Sequence, residues 1–182
     1  VTEHLRRNHS ATTRSQVLTC IPMKTGGFLY HDAQDRYWRA YYYISGATAY
    51  DKVQKPKDFY EVGRAFGDFQ NALSDFSAMD LYETIPDFHN TKRRFYAFVA
   101  AVARDRAKRV KDVEEEIDFL FDRRKMMNCI VDRIEDGRIP IRVTHNDTKV
   151  NNVMLDEETG LAVCVIDLDT VMAGSAASHV KF

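Results

Sequence analysis

The sequence predicts a mixed α/β (α+β) chain, on three observations. Two apolar runs rich in β-branched or aromatic residues, 16–23 (QVLTCIPM) and 37–44 (YWRAYYYI), stand near its start. A stripe of phenylalanines at alternating spacings of three and four follows them. Beyond Pro140 come short apolar runs separated by polar loops. Strands, then helices, then strands again is the order these periodicities imply.

Residues 1–9 read as the end of a helix, with Val1 and Leu5 one turn apart. The two early runs read as antiparallel neighbours, with turn signals between them at Gly26-Gly27 and across 32–35. Gly26-Gly27 after Lys24 is a turn and not a phosphate loop, because it lacks the GxxxxGK spacing. Ser45-Gly46 breaks the second run. Phe59, Val62, Phe66, Phe69, Leu73 and Phe76 then fall on one face of a long helix opening near Lys57-Asp58. Pro86 and Asp87 make 84–91 (TIPDFHNT) a loop. Phe95, Phe98, Val99 and Val102 mark a second helix. A third begins near Val113, buries Ile117, Leu120, Met127, Ile130, Val131 and Ile134, and stops at Asp136-Gly137. Short strands follow at 141–143, 153–155 and 161–166, with 157–160 turning between the last two.

Composition excludes some classes of function. The 26 Lys and Arg balance 27 Asp and Glu, for a net charge of -1, which leaves no electrostatic footprint for nucleic acid or an anionic membrane. The basic clusters at 92–94 and 104–111 read as solvated helix faces. No apolar run approaches the roughly 18 residues of a membrane span. The three cysteines, Cys20, Cys129 and Cys164, sit among apolar residues without ligand-like spacing. They are expected as buried thiols in a reducing, cytoplasmic compartment.

The chemistry concentrates in 145–152 (HNDTKVNN) and in Asp167-Leu168-Asp169. A carboxylate in a loop after a strand, an amide five residues on, and a carboxylate ending the next hairpin can surround one cation. Oxygen donors without His or Cys suit a hard ion such as Mg2+, whose open positions take phosphate oxygens. The spacing H-x-D-x-x-x-x-N, formed by His145, Asp147 and Asn152, is that of the catalytic loop in protein-kinase-like enzymes.

On these residues the chain resembles the aminoglycoside-phosphotransferase and choline-kinase superfamily. The resemblance implies that Asp147 accepts the proton of a substrate hydroxyl, that Asn152 and Asp167 hold Mg2+, and that His145 braces the loop. Lys149 matches a lysine that meets the transferred phosphate, or is a surface lysine. Asp169 binds a second ion or caps the next turn. Asn146 where protein kinases carry Arg, and Asp-Leu-Asp in place of Asp-Phe-Gly, point to a small-molecule acceptor. The stretches THNDTKVNNVMLDEETG, CVIDLDTVMAG, YWRAYYYISGATAYD and IPDFHNTKRRF are similar to the bacterial N-acetylhexosamine kinase branch. That branch implies ATP as donor and an amino sugar phosphorylated on its anomeric hydroxyl. It makes Tyr42, Tyr43 and Ile44 the hinge that meets adenine, although edge-strand packing is the other reading of these tyrosines. His89 and Asn90 either approach the sugar or cap their loop.

The implied fold is protein-kinase-like: residues 1–44 as the remnant of a nucleotide-binding lobe and hinge, and 45–182 as an incomplete catalytic lobe. A glycine-rich loop, a strand lysine and helices beyond the metal-binding Asp are further parts of such an enzyme. Their absence here makes a fragment the expectation, one that is inactive and poorly soluble by itself. The segment 175–182 also departs from the family's pattern.

Overall fold

In the computed structural model, which describes residues 1–8 and 16–179, the chain mixes helices with three small antiparallel sheets. The opening helix is α1 (Thr2–Asn8), with Leu5 buried. His9 and 180–182 of the closing segment lie outside the described residues.

The two early runs do run antiparallel, but they pair far less than expected. They meet at a single bridge, Cys20 to Tyr41, flanked by bonds from Ile21 N to the Ala40 carbonyl and from Tyr42 N to the Thr19 carbonyl. Pro22 has no N–H to carry the ladder further. Met23 instead closes a turn on Gly27, with Gly26 and Gly27 both at positive φ. The regular pairing here is a two-residue hairpin, β1 (Tyr30–His31) with β2 (Tyr37–Trp38). Its turn is organised by Asp32, which accepts from Gln34 N, Arg36 N and Trp38 Nε1. Past Gly46 comes a short strand that the sequence pattern did not reveal, β3 (Ala47–Thr48).

The phenylalanine stripe forms α2 (Pro56–Ala72). Pro56 occupies the first turn, and Asp58 Oδ2 accepts from the N–H groups of Gln54 and Lys55, satisfying donors that a helix start leaves open. The helix ends a turn earlier than the pattern predicts. Val62, Phe66 and Phe69 are buried along it and Leu73 just beyond it, whereas Phe59 at the other end is 52% exposed.

Asn90 caps α3 (Thr91–Arg104) by accepting from Arg93 N at 3.0 Å. The single helix expected from Val113 to Asp136 is instead three: α4 (Glu114–Asp122), α5 (Arg124–Met127) and α6 (Cys129–Glu135). The Thr91 hydroxyl takes the Met127 carbonyl, an acceptor an unbroken helix would use. Of the apolar residues expected beneath this segment, Val131 is buried and the others are half-buried. The basic cluster at 92–94 lies at the surface, where Lys92 pairs with Asp132 and Glu135, Arg93 with Asp87, and Arg94 holds the Phe88 carbonyl.

The closing strands are β4 (Arg142–Thr144), β5 (Val153–Asp156), β6 (Ala162–Val165) and β7 (Met172–Gly174). β5 and β6 form a hairpin that β3 extends, and β4 pairs with β7, which was not foreseen. α2 lies across the hairpin, packing Val62 and Phe66 on Val153, Leu155 and Ala162. Glu61 locks that contact, since its Oε2 accepts from Ala162 N at 3.0 Å and from Arg64 Nη2 at 2.6 Å. The Arg64 guanidinium holds the Glu61 carboxyl below its ordinary pKa. Phe69 and Leu73 pack with Leu5, Val143 and Val171 under the loop between β4 and β5.

The cysteines differ from expectation. Cys164 is buried and its thiol is pushed up to about 12, but Cys20 is half-buried and Cys129 is exposed on the first turn of α6. Among the described residues no helix is long and apolar enough to cross a membrane.

Candidate active site

β4 delivers the chain into 145–152, and β6 delivers it to Asp167, so the two polar segments leave adjacent parts of the fold side by side. His145 is fully buried, with Phe66 and Phe69 of α2 edge-on to its ring at 5.1 and 5.9 Å. Its Nε2 donates to the Ile166 carbonyl at 2.9 Å, and its Nδ1 accepts from Asp147 N at 3.4 Å. Those two bonds assign the neutral tautomer protonated at Nε2. Burial lowers its pKa, partly opposed by the Ile166 bond and the carboxylates of Asp147 and Asp167. The imidazole therefore joins two loops, with both ring nitrogens engaged by the backbone.

Asp147 is half-buried and its Oδ2 is held from two sides. Lys149 Nζ stands 3.0 Å away, and Asn152 Nδ2 donates at 3.1 Å. The same Asn152 nitrogen donates to the Asp147 carbonyl at 2.8 Å. With Nδ2 committed in this way, the Asn152 amide presents Oδ1 on its other side. Lys149 is half-exposed, and the Asp147 carboxylate raises its pKa. Asp167 takes a left-handed backbone, φ 58 and ψ 58, which Asp tolerates better than most residues, and it is exposed. Asp169 is engaged elsewhere: its carboxylate pairs with Arg39, and its carbonyl accepts from Thr84 Oγ1 at 2.9 Å.

The family model for the phosphotransferase enzyme family (APH) matches residues 9–178, nearly the whole chain. The chain belongs to this family. A kinase-type phosphotransferase acting on a small-molecule acceptor is what membership implies, with ATP as donor and a divalent metal as the usual companion.

For an APH phosphotransferase, the sequence-predicted residues fall into two groups. His145, Asp147, Lys149 and Asn152 are joined by direct contacts, and Asp167 acts electrostatically on His145 and Lys149. Tyr42, Tyr43 and Ile44 lie on another part of the chain: Ile44 is buried against Leu18, Ala47 and Cys164, while Tyr43 is 88% exposed. Among the described residues no three His, Cys, Asp or Glu side chains converge as a metal cage. His89 Nε2 meets the Asn146 carbonyl at 2.6 Å, and Asn90 serves as the cap of α3.

Sequence reasoning missed the residues that fasten the loop. Asn146 was read only as a departure from the protein-kinase motif, yet it is buried with φ 63 and its amide reaches three backbone carbonyls. Thr170 Oγ1 donates to the His145 carbonyl at 2.6 Å. Gly174 on β7 lies where a Cβ would collide with Thr144 Oγ1 and Asn146 Oδ1. An asparagine beside the motif's Asp is a signal for a left-handed turn, and it was available in the sequence.

Proposed function

We propose that this protein transfers the γ-phosphoryl group of ATP to the anomeric hydroxyl of an N-acetylhexosamine. The observation that carries the phosphoryl-transfer reading is the Asp147 carboxylate held at 3.0 Å by Lys149 and at 3.1 Å by Asn152, in a loop braced by His145. The acceptor rests on the similarity of four stretches of sequence to N-acetylhexosamine kinases.

In this reading Asp147 takes the proton of the sugar hydroxyl as that oxygen bonds to the γ-phosphorus. The bond from phosphorus to the bridging oxygen breaks, and ADP leaves. Lys149 orients the Asp147 carboxylate and offers a cation beside the transferring group, where charge stabilisation supplies much of the catalysis. Asn152 fixes the same carboxylate from the opposite side.

The donor set fits Mg2+, which takes one or two protein oxygens and completes its shell with water and phosphate. Asn152 Oδ1 and the exposed Asp167 carboxylate would hold it, and when bound it supplies charge neutralisation for the phosphates. Asp169, paired with Arg39, ties the 167–170 turn to the strand that leads into 42–44. In the same reading the backbone at 42–44 meets adenine, residues 1–44 belong to a nucleotide-binding lobe, and residues 45–182 belong to a catalytic lobe.

A panel of acceptors with Mg-ATP tests this proposal. N-acetylglucosamine and N-acetylgalactosamine should yield an anomeric phosphate by phosphorus and proton NMR. Transfer to kanamycin or choline, with none to either sugar, overturns the acceptor and leaves the phosphotransfer.

A further inference from the structure

We infer that Asn146 is a positioning residue for phosphoryl transfer: it fixes the loop carrying Asp147 against the turn carrying Asp167. The inference rests on the catalytic reading of Asp147 proposed above. Asn146 Nδ2 donates to the carbonyls of Thr144 at 3.1 Å, Thr170 at 3.0 Å and Met172 at 3.4 Å. Its Oδ1 accepts from Thr144 Oγ1 at 2.8 Å. Two of those carbonyls follow Asp169, by one and by three residues, so one side chain spans both polar segments.

Asparagine suits this position on three counts. The backbone is left-handed at φ 63, which favours Gly, Asn and Asp. Carbonyl oxygens demand a donor, which excludes Asp, whose carboxylate would face them repulsively. The facing strand leaves the amide its place, because Gly174 carries no side chain and a Cβ there would collide with Oδ1. The brace is also doubled. Thr170 Oγ1 returns a bond to the His145 carbonyl, and His89 takes the Asn146 carbonyl, connecting the 84–90 loop to the same turn. A carboxylate displaced by about 1 Å from its working position costs on the order of 100-fold in rate.

The test compares Asn146→Gly and Asn146→Asp in the purified protein, reading ADP formation from Mg-ATP with N-acetylglucosamine, or with water as acceptor if the sugar is not used. Glycine accepts the backbone angle and deletes the amide. Aspartate keeps the shape and deletes the donor. Both should lower kcat by about 100-fold while KM for Mg-ATP stays within about threefold. In an Asp147→Asn background, Asn146→Gly should remove no more than about another twofold, because the two residues act through one group. Amide exchange should rise in the 166–174 peptide of Asn146→Gly and stay unchanged in α2. Wild-type kcat in Asn146→Gly, or losses that multiply in the double variant, overturn the inference. Should Asn146 variants not fold, Thr170→Val, which deletes only the hydroxyl bond to His145, should still lose about tenfold in kcat, and full activity there also overturns it. If Asp147→Asn itself keeps normal turnover, the catalytic reading falls, while the exchange measurement still decides whether Asn146 couples the two segments.

Discussion

The ring of His145 donates to the carbonyl of Ile166, the residue immediately before Asp167, at 2.9 Å. One imidazole therefore fixes the distance between the loop that carries Asp147 and the strand end that carries Asp167, and only while neutral can its Nδ1 also accept from Asp147 N.

That requirement has a sign in pH. Burial depresses the His145 pKa in the folded protein below the ordinary 6.5. The unfolded chain then binds a proton at higher pH than the folded one, so stability is complete above about pH 6.5 and falls as the pH drops below it. Melting midpoints of wild type and His145→Gln, taken from pH 8 to pH 5.5, should converge as the pH falls. A constant gap between the two proteins would mean that His145 binds its proton equally in the native and unfolded states.

Asp147→Asn should abolish turnover, by about 100-fold or more, while calorimetric Mg-ATP affinity stays near wild type. Asp167→Asn should weaken Mg-ATP binding and turnover together. Equal losses of nucleotide affinity in both variants would contradict the division of labour between the two carboxylates.

Gly174→Ala places a methyl group against Thr144 Oγ1 and Asn146 Oδ1. The expected cost is about 1–3 kcal/mol, together with reduced turnover, because the groups it displaces hold the Asp147 loop. Urea denaturation and rate measurement on the same preparation check both effects.

The two ends of the phenylalanine stripe should behave differently. Leu73 is 1% exposed among Leu5, Phe69, Val143 and Val171, so Leu73→Ala should cost about 2–5 kcal/mol. Phe59 is 52% exposed, and Phe59→Ala should stay within about 0.5 kcal/mol. Chemical denaturation midpoints distinguish the two.

Much of this was legible in the sequence, for reasons that can be named residue by residue. The stripe from Val62 to Leu73 fell on the buried side of α2 because a helix that covers a hairpin must repeat every three or four residues. The strands at 153 and 162 were visible because both lie beneath that helix and carry uninterrupted apolar side chains. Asp147, Asn152 and Lys149 were found through a fixed motif, and their mutual contacts follow from its local spacing. What the sequence concealed was short or tertiary. β3, β7 and the β1–β2 hairpin contain two or three residues each, too few for a period to register. The break after Met127 depends on a hydroxyl from Thr91, 36 residues away. Asn146 looked like a change of motif because its value lies in carbonyls at Thr170 and Met172, which no window around it contains.

The contact between Glu61 and Ala162 joins residues 101 positions apart. During synthesis at about 5–20 residues per second, α2 is complete while its partner hairpin is still unmade, and the wait lasts about 5–20 s. Throughout that interval Val62, Phe66 and Phe69 face water or whatever else is at hand. The nascent chain thus carries a sticky helix for those seconds, and the helix is covered only when the hairpin that follows Asp147 has emerged.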